Sequence, residues 1–384
     1  MDALMLPLNW QRVRLGDIAE IKRGASPRPI ENPKWFCANS SVGWVRISDI
    51  SKNSRFLYKT AQKLSKKGIE KSRLVKQNSL IMSMCATIGK PIITKIDTCI
   101  HDGFVVFENP KIDLNYLYYF LCYIEKEWLE SGQQGSQVNL NVDLIKNKEV
   151  FYPKDLNEQI AIASILSALD RYLCALDALI LKKEGVKKAL SFELLSQRKR
   201  LKGFNQAWQR VRLGDICEIV KGQQINKISL NNTDKYPVIN GGIDFLGYTN
   251  KFNASKNTIA ISEGGTCGYV RFMTSNFWSG GHNYSLQKIS NKVNNLCLYH
   301  ILKSYEKDIM KLGVGSGLKN IQLKALKDFE ILLPPLNEQS AIANILSALD
   351  NEITSLKNKK RQFENIKKAL NHDLMSAKIR VLKK

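Results

Sequence analysis

Residues 156–170 read LNEQIAIASILSALD, and residues 336–350 read LNEQSAIANILSALD. Thirteen of the fifteen positions are identical at an offset of 180. The likeness continues at the same offset through VKKALSFELLS (186–196) and IKKALNHDLMS (366–376). Further out, WQRVRLGDIAEIKRG (10–24) returns as WQRVRLGDICEIVKG (208–222), twelve of fifteen identical at an offset of 198. Self-similarity on this scale organises the whole chain. It divides into a mixed segment (1–155), a helical segment (156–202), a second mixed segment (203–335) and a second helical segment (336–384).

The helical segments carry their pairing in their spacing. Ile162, Leu166, Leu169, Leu173, Leu176 and Ile180 recur at alternating steps of four and three. Ile342, Leu346, Leu349, Ile353, Leu356 and Phe363 continue the pattern in the second copy. That is a heptad seam, and one helix cannot bury its seam alone. The expected partner is the other copy. A pseudo-two-fold relating the copies makes the pair antiparallel, with the mixed domains at opposite ends of helices about 66 Å long (roughly 44 residues at 1.5 Å each). Asn157 and Asn337 are the expected N-caps, and Glu158 and Glu338 fall in the first turn, where the helix dipole favours them. Gly185, between Lys183 and Lys187, is the expected place for a local bend.

The mixed segments diverge between their shared ends. Faint echoes persist, as in SLIMSMCATIG (79–89) against TIAISEGGTCG (258–268), and GSQVNLNVDLIKNKEVFYP (135–153) against GSGLKNIQLKALKDFEILLP (315–334). Short alternating runs at 42–50, 91–96 and 103–108 read as strands, and 115–130 and 295–309 as helices. The expected class is therefore α/β (α+β): two pseudo-two-fold related mixed domains joined by two long antiparallel coiled-coil helices. Plain duplication with drift would not keep the helices nearly unchanged while the interiors scatter. A common scaffold with two different recognition surfaces fits better.

The chain has 384 residues, with 58 Lys plus Arg against 35 Asp plus Glu, a formal charge of +23. Such a charge calls for a polyanionic partner. It divides as +7 over 1–155, +4 over 156–202, +7 over 203–335 and +5 over 336–384. No run of about 18 apolar residues offers a membrane span, and no basic n-region opens the chain as in a secretory signal. Cysteines at 37, 85, 99, 122, 174, 217, 267 and 297 lack zinc spacing and read as free buried thiols of a reducing cytoplasm. No metal site and no cofactor of the chain's own are expected. The four histidines (101, 282, 300 and 372) read as structural.

Residues 52–76 hold nine cations against one acid: Lys52, Arg55, Lys59, Lys63, Lys66, Lys67, Lys71, Arg73 and Lys76, with Glu70. A run like this is either a solvated face or a grip on phosphates. Base edges are read by Arg, Lys, Asn, Gln, Ser or Thr. Candidates in turns are Arg46 and Ser48, Gln133, Gln134, Ser136 and Gln137, Asn240, Lys251, and Ser316, Lys319 and Asn320. Trp35, Trp44 and Trp278 are candidate stacking residues, although core aromatics are commoner.

Searches for catalytic motifs are empty. There is no Asn-Pro-Pro-Tyr or Asp-Pro-Pro-Tyr for a flipped adenine, no phosphate-binding loop at Gly89-Lys90, no Gly-x-Gly-x-x-Gly, no His-Glu-x-x-His and no Gly-x-Ser-x-Gly. No catalytic residue is expected. A binding subunit fits better than an enzyme.

The Trp-x-x-Val-Arg-Leu-Gly-Asp-Ile opening of each half and the Leu-Asn-Glu-Gln-x-Ala-Ile-Ala-x-Ile-Leu-Ser-Ala-Leu-Asp segment closing each domain resemble the specificity (S) subunits of type I restriction–modification systems. The resemblance spans essentially the full length in order, duplication and motif. Phe151-Tyr152-Pro153-Lys154-Asp155 departs from the fuller Leu-Pro-Pro of 333–335. The resemblance implies that each mixed domain reads one half of a bipartite double-stranded DNA target. It implies that the helices set the spacer and dock two methyltransferase (M) subunits, which bind S-adenosylmethionine. It further implies that motor–nuclease (R) subunits join for cleavage. The rival readings are a coiled-coil scaffold with an incidental basic surface and a DNA methyltransferase in its own right.

Overall fold

The structure, a computed structural model, describes residues 7–51, 55–131 and 140–381. Two compact units emerge: residues 1–175 with 360–384, and residues 176–359. The boundary cuts both long helices, Leu156–Leu195 and Leu336–Met375. Each unit is thus a mixed domain plus the start of one helix and the end of the other.

In both units the strand of the opening motif pairs with the strand that leads into the closing helical motif. Trp10–Arg14 pairs antiparallel with Glu149–Pro153, Trp10 opposite Pro153 and Val13 opposite Val150. Gln209–Arg212 pairs with Glu330–Leu333 in the same way. The opening motif is therefore hydrogen-bonded to the stretch that runs straight into the closing helix, which ties the two ends of each mixed segment together.

Inside the first unit, Glu20–Arg23, Phe104–Glu108, Leu80–Ser83, Pro91–Thr94 and Phe56–Leu57 form a sheet in that order. A second sheet runs Gln62–Lys63, Gly43–Val45, Thr98–Ile100, Arg73–Val75. Gly43–Val45 and Thr98–Ile100 lie parallel in it. The other unit repeats the design with Glu218–Lys221, Asn283–Gln287, Thr258–Ser262 and Val270–Met273 in one sheet. Its second sheet pairs Tyr236–Ile239 parallel with Trp278–Ser279.

The helix expected over 115–130 is two helices, Leu114–Tyr123 and Glu125–Ser131. The one expected over 295–309 is likewise divided, into Asn295–Ser304 and Glu306–Lys311. Asp113 and Asn294 cap the first of each pair by accepting the N–H of Tyr116 and Cys297.

Seam burial follows the heptads. Ile162, Leu166, Leu176, Ile180, Ile342, Leu346 and Ile353 are buried. Leu169, Leu173, Leu349, Leu356 and Phe363 are half-buried. Ile162 and Leu166 sit in the core of the first unit, and Ile342 and Leu346 in that of the second, so the first turns pack on the mixed domains. The helix ends join in: Leu374 and Met375 enter the first core and Leu195 the second. Pairing is antiparallel within each unit. Asp170 meets Lys367 at 2.5 Å and Tyr172 faces Phe363 with ring centroids 4.6 Å apart. In the second unit Lys183 meets Glu352 at 2.8 Å, and Lys187 bonds Asp350.

Three expectations about the helices are corrected. Asn157 and Asn337 lie inside the first turn, because the helices start at Leu156 and Leu336, two residues ahead of the start that such caps imply; the Asp155 carboxylate accepts the Asn157 N–H at 2.9 Å. The helices have 40 residues each, about 60 Å. Gly185 interrupts nothing, since α-helix runs straight through it.

The motif Glu-Gln pair has a structural task instead. Gln159, buried, donates to Pro153 O at 2.8 Å and accepts the Asp113 N–H at 2.8 Å. Gln339 donates to Pro334 O and Lys292 O and accepts the Asn294 N–H at 2.7 Å. Each glutamine thus ties the start of a long helix to the cap of a domain helix. Glu158 accepts from Asn9 at 2.9 Å, with Arg380 at 3.9 Å. Glu338 is gripped by Arg200 and Trp208.

Candidate nucleic-acid interface

Main-chain hydrogen bonds show that the two mixed domains share one backbone frame. Gly24 N–H bonds Phe104 O at 2.9 Å, and Gly222 N–H bonds Asn283 O at 2.8 Å. Met84 bonds Gly103 O at 2.8 Å, as Glu263 bonds His282 O at 2.8 Å. Leu140 reaches Met84 O, and Ile321 reaches Glu263 O. Ala86 and Gly265 occupy the same left-handed position, with φ of 60° and 68°. At Gly24 and Gly222 a Cβ would strike the carbonyl of His101 and of Gly280, respectively, so only glycine allows this approach. The faint echo at 79–89 and 258–268 is therefore the middle of a common frame.

Four turns meet on each frame. In the first unit they carry Arg23 to Arg28, Cys85 to Thr87, His101 to Gly103, and Arg46 leading into the short helix Ile47–Ser51, which places Ser48 on a helix rather than in the expected turn. Asp102 organises this rim. It accepts from Ser26 Oγ at 2.7 Å and Arg28 Nη2 at 3.1 Å, while its carbonyl accepts Arg23 Nε at 2.7 Å. The hydrogen bond from Ser26 holds the Asp102 carboxyl below its usual range. Burial lowers the His101 pKa, so its ring is neutral at pH 7. Its Nδ1 accepts the Gly103 N–H at 2.9 Å, which leaves Nε2 carrying the proton. Arg46 is exposed; its main-chain N–H is fixed by buried Asp49 at 2.9 Å and its guanidinium reaches Gln62 at 3.3 Å. Ser48 is exposed beside it.

In the second unit the corresponding turns carry Gln223 and Gln224, Asn240 to Gly242, Gly264 to Thr266, and Gly280 to His282. The hairpin of Gly313–Val314 and Asn320–Ile321 adds a fifth element. Asn240 Oδ1 accepts the His282 N–H at 3.1 Å. Trp278, half-buried, donates Nε1 to Gln223 O at 2.9 Å. Lys221 pairs with Glu263 at 2.7 Å. Asn240, Lys319 and Asn320 thus come together on one rim, with Ser316 exposed in the same hairpin. Lys251 is exposed and makes no hydrogen bond or ion pair with that rim among the described residues.

The basic run divides. Lys59, Lys63, Lys66, Lys67 and Lys71 are exposed and make no ion pair among the described residues. Lys76 is paired with Asp97 at 2.9 Å, and Arg73 donates to Arg23 O. Arg55 turns inward, which removes it from the surface cations. Its side chain bonds Ser167 at 2.5 Å and Asn115 at 2.6 Å, over the rings of Phe56 and Tyr119. Lys52, Gln133, Gln134, Ser136 and Gln137 lie outside the described residues. Trp35 and Trp44 are buried core residues. All eight cysteines are free, but Cys37 and Cys174 are exposed, contrary to the expectation of burial. Burial pushes Cys99, Cys217 and Cys297 up to about 12.

Arg23, Ser26, Arg28, His101, Asp102, Gln224 and His282 escaped the sequence-based search for base readers. A usable signal was present: the first divergent residues after each shared opening, Ala25-Ser26 and Gln223-Gln224, lead straight onto the rims.

No helix among the described residues is long and apolar enough to cross a membrane. Nor do those residues bring three or more His, Cys, Asp or Glu together in a group able to hold a metal ion.

Known proteins share both the sequence pattern and the fold. A specificity subunit named for the MjaX type I restriction enzyme of Methanocaldococcus jannaschii is 27% identical over 411 residues, covering 98% of this chain and 95% of that protein. A type I specificity subunit of Mycoplasma pneumoniae is 38% identical over 154 residues, 40% of this chain and 41% of its own. The chain thus spans about two fifths of that relative's length. In fold, the chain is similar to the crystal structure of a type I restriction–modification S subunit from M. genitalium, with a TM-score of 0.70 over 96% of this chain and 98% of that one, at 18% identity. The family model described as the type I restriction modification DNA specificity domain matches twice, over residues 7–183 and 205–365, once on each mixed domain with the start of its helix, and the chain belongs to that family.

Proposed function

We propose that the chain is the DNA specificity subunit of a type I restriction–modification complex and carries recognition without chemistry of its own. Each rim reads one half of a bipartite duplex target. The carrying observation is one backbone frame used twice with different side chains on it: Arg46, His101 and Asp102 in one unit stand where Asn240, Gly280 and Gly281 stand in the other. A fixed frame sets the approach to the groove, and its variable side chains set the bases read. Lys59, Lys63, Lys66, Lys67 and Lys71 supply the sequence-independent grip on phosphate.

The long helices run through both units, set the spacer and dock two methyltransferase subunits; motor–nuclease subunits join that assembly for cleavage. Exposed apolar residues recur at equal places in the two copies, as in Leu156 and Leu336 (53% and 45% exposed) and Val186 and Ile366 (45% and 48%). Repeated apolar exposure suits two copies of one partner better than solvent. The test is binding of the chain, assembled with its methyltransferase subunits, to target and scrambled duplexes at matched salt. Equal affinity for both would sink the proposal, whereas a preference abolished by altering either half-site supports it.

A further inference from the structure

We propose that Gln224, Asn240 and Asn320 form a carboxamide reader in the second unit, and that the base pair it reads is A·T. This rests on the proposed DNA-specificity function and assigns base chemistry to one rim.

The three amide groups lie on a floor of glycines. Asn320 Oδ1 fills the space a Cβ at Gly264 would need. Gln224 Nε2 stands 2.5 Å from the Cβ site of Gly281, and Asn240 Oδ1 stands 2.6 Å from that of Gly280. The floor is continuous, because Glu263 N–H bonds His282 O at 2.8 Å and so joins the two glycine turns. Asn240 uses its carbonyl on the His282 N–H and acts as the positioning residue. Gln224 and Asn320 are exposed, and neither side chain makes a hydrogen bond among the described residues.

A carboxamide presents one donor and one acceptor side by side. That fork matches adenine N7 and N6–H₂, whereas guanine offers two acceptors and calls for Arg or Lys. Lys221 is already paired with Glu263, and the Lys319 Cβ lies against Gly313 rather than against the glycines of the floor. In the first unit the frame puts Ser26, Arg46, Cys85, His101 and Asp102 at the positions of Gln224, Asn240, Gly264, Gly280 and Gly281. Side chains occupy the floor there, and Ser26 and Arg46 stand in place of the Gln224 and Asn240 amides, while the counterpart of Asn320 is Asn139, which lies outside the described residues. The Gln224 and Asn240 amides thus have no counterpart in the first unit, and the A·T reading is assigned to the half-site of the second unit.

The experiment is methylome sequencing of cells carrying the full complex with the wild-type chain, Gln224→Ala, Asn320→Ala or Gly264→Ala. Gly264→Ala keeps the Asn320 amide but displaces it. In each variant one position of one half-site, A·T in the wild type, should admit other pairs, with discrimination reduced roughly 5- to 150-fold, as when a bidentate pair to a base is removed. The other half-site stays intact and reports a folded chain. Where a variant loses methylation, competition binding of the purified complex to duplexes differing at that base pair gives the same readout. Unchanged strictness, or relaxation at a G·C position, overturns the proposal. A wild-type complex with no bipartite motif would instead remove the underlying function.

Discussion

Arg200 and Glu338 form a two-pronged ion pair, Nε to Oε1 at 2.8 Å and Nη2 to Oε2 at 2.7 Å. Trp208 adds a third donor at 3.1 Å, and the carboxylate is buried. The chain following the first long helix is thereby fastened to the first turn of the second. Buried carboxylates lose their solvation and hold only when their partners are complete. Glu338→Ala strips Arg200 of its carboxylate, leaving it only the Gln206 carbonyl, and orphans Trp208 Nε1, and should lower stability by about 3–5 kcal/mol. Arg210→Ala breaks the exposed pair with Glu330 and should cost under about 1 kcal/mol. Denaturant unfolding of both variants checks the difference, and equal losses would contradict it.

Gln159 and Gln339 make the same contacts in separate units, so one substitution can be tried twice. Gln159→Ala orphans Pro153 O and the Asp113 N–H; Gln339→Ala orphans Pro334 O, Lys292 O and the Asn294 N–H. Each should destabilise its unit by on the order of 2–4 kcal/mol, from about 1–3 per unsatisfied group with partial relaxation. Hydrogen exchange should show faster exchange at Tyr116 in the first variant and at Cys297 in the second. No change at either amide would refute the tether.

The structure also sets a pH dependence. His300 is buried against Ser347, and burial lowers its pKa to about 4 from 6.5. The native ring stays neutral where the unfolded one is already protonated, so protons favour the unfolded chain between pH 6.5 and 4. Stability from this group is present above pH 6.5 and lost as pH falls toward 4, by on the order of 2–3 kcal/mol. His300→Gln should flatten the fall in stability measured from pH 6.5 to 4.5 relative to wild type. An identical slope would contradict the assignment.

Lys59, Lys63, Lys66 and Lys67 stand exposed and free of ion pairs among the described residues. Replacing any one by Ala should weaken binding to target and scrambled duplexes alike. The slope of log K against log salt should drop by about 1 for each phosphate that loses its cation. Arg55→Ala should instead lower the melting temperature of the first unit, since Arg55 is buried on Ser167 and Asn115. A sequence-selective effect of the lysine variants would overturn their role in gripping phosphate.

The repeat, the mixed class and the seam were legible because they rest on identity and periodicity, as in Ile162, Leu166 and Leu176. The breaks at Ile124 and Tyr305 were not, because no Gly or Pro marks them. Arg55 misled because a charge run does not reveal which member turns inward; its acceptors, Asn115 and Ser167, are far away in sequence. The rims were illegible for a related reason. Ser26, Arg46, Cys85 and Asp102 meet only through strand order, which places Glu20–Arg23 beside Phe104–Glu108 and Gly43–Val45 beside Thr98–Ile100. The Asn157 cap was missed by two residues, since Asp155 and Asn157 are both capable acceptors.

The central claim is that each rim independently reads one half of the target. Exchanging residues 25–150 for the equivalent segment of another family member, followed by methylome sequencing of cells carrying the assembled complex, tests it most directly. The account predicts a motif in which one half-site is new while the other half-site and the spacer are unchanged. A motif altered in both halves, or left unchanged, would contradict it.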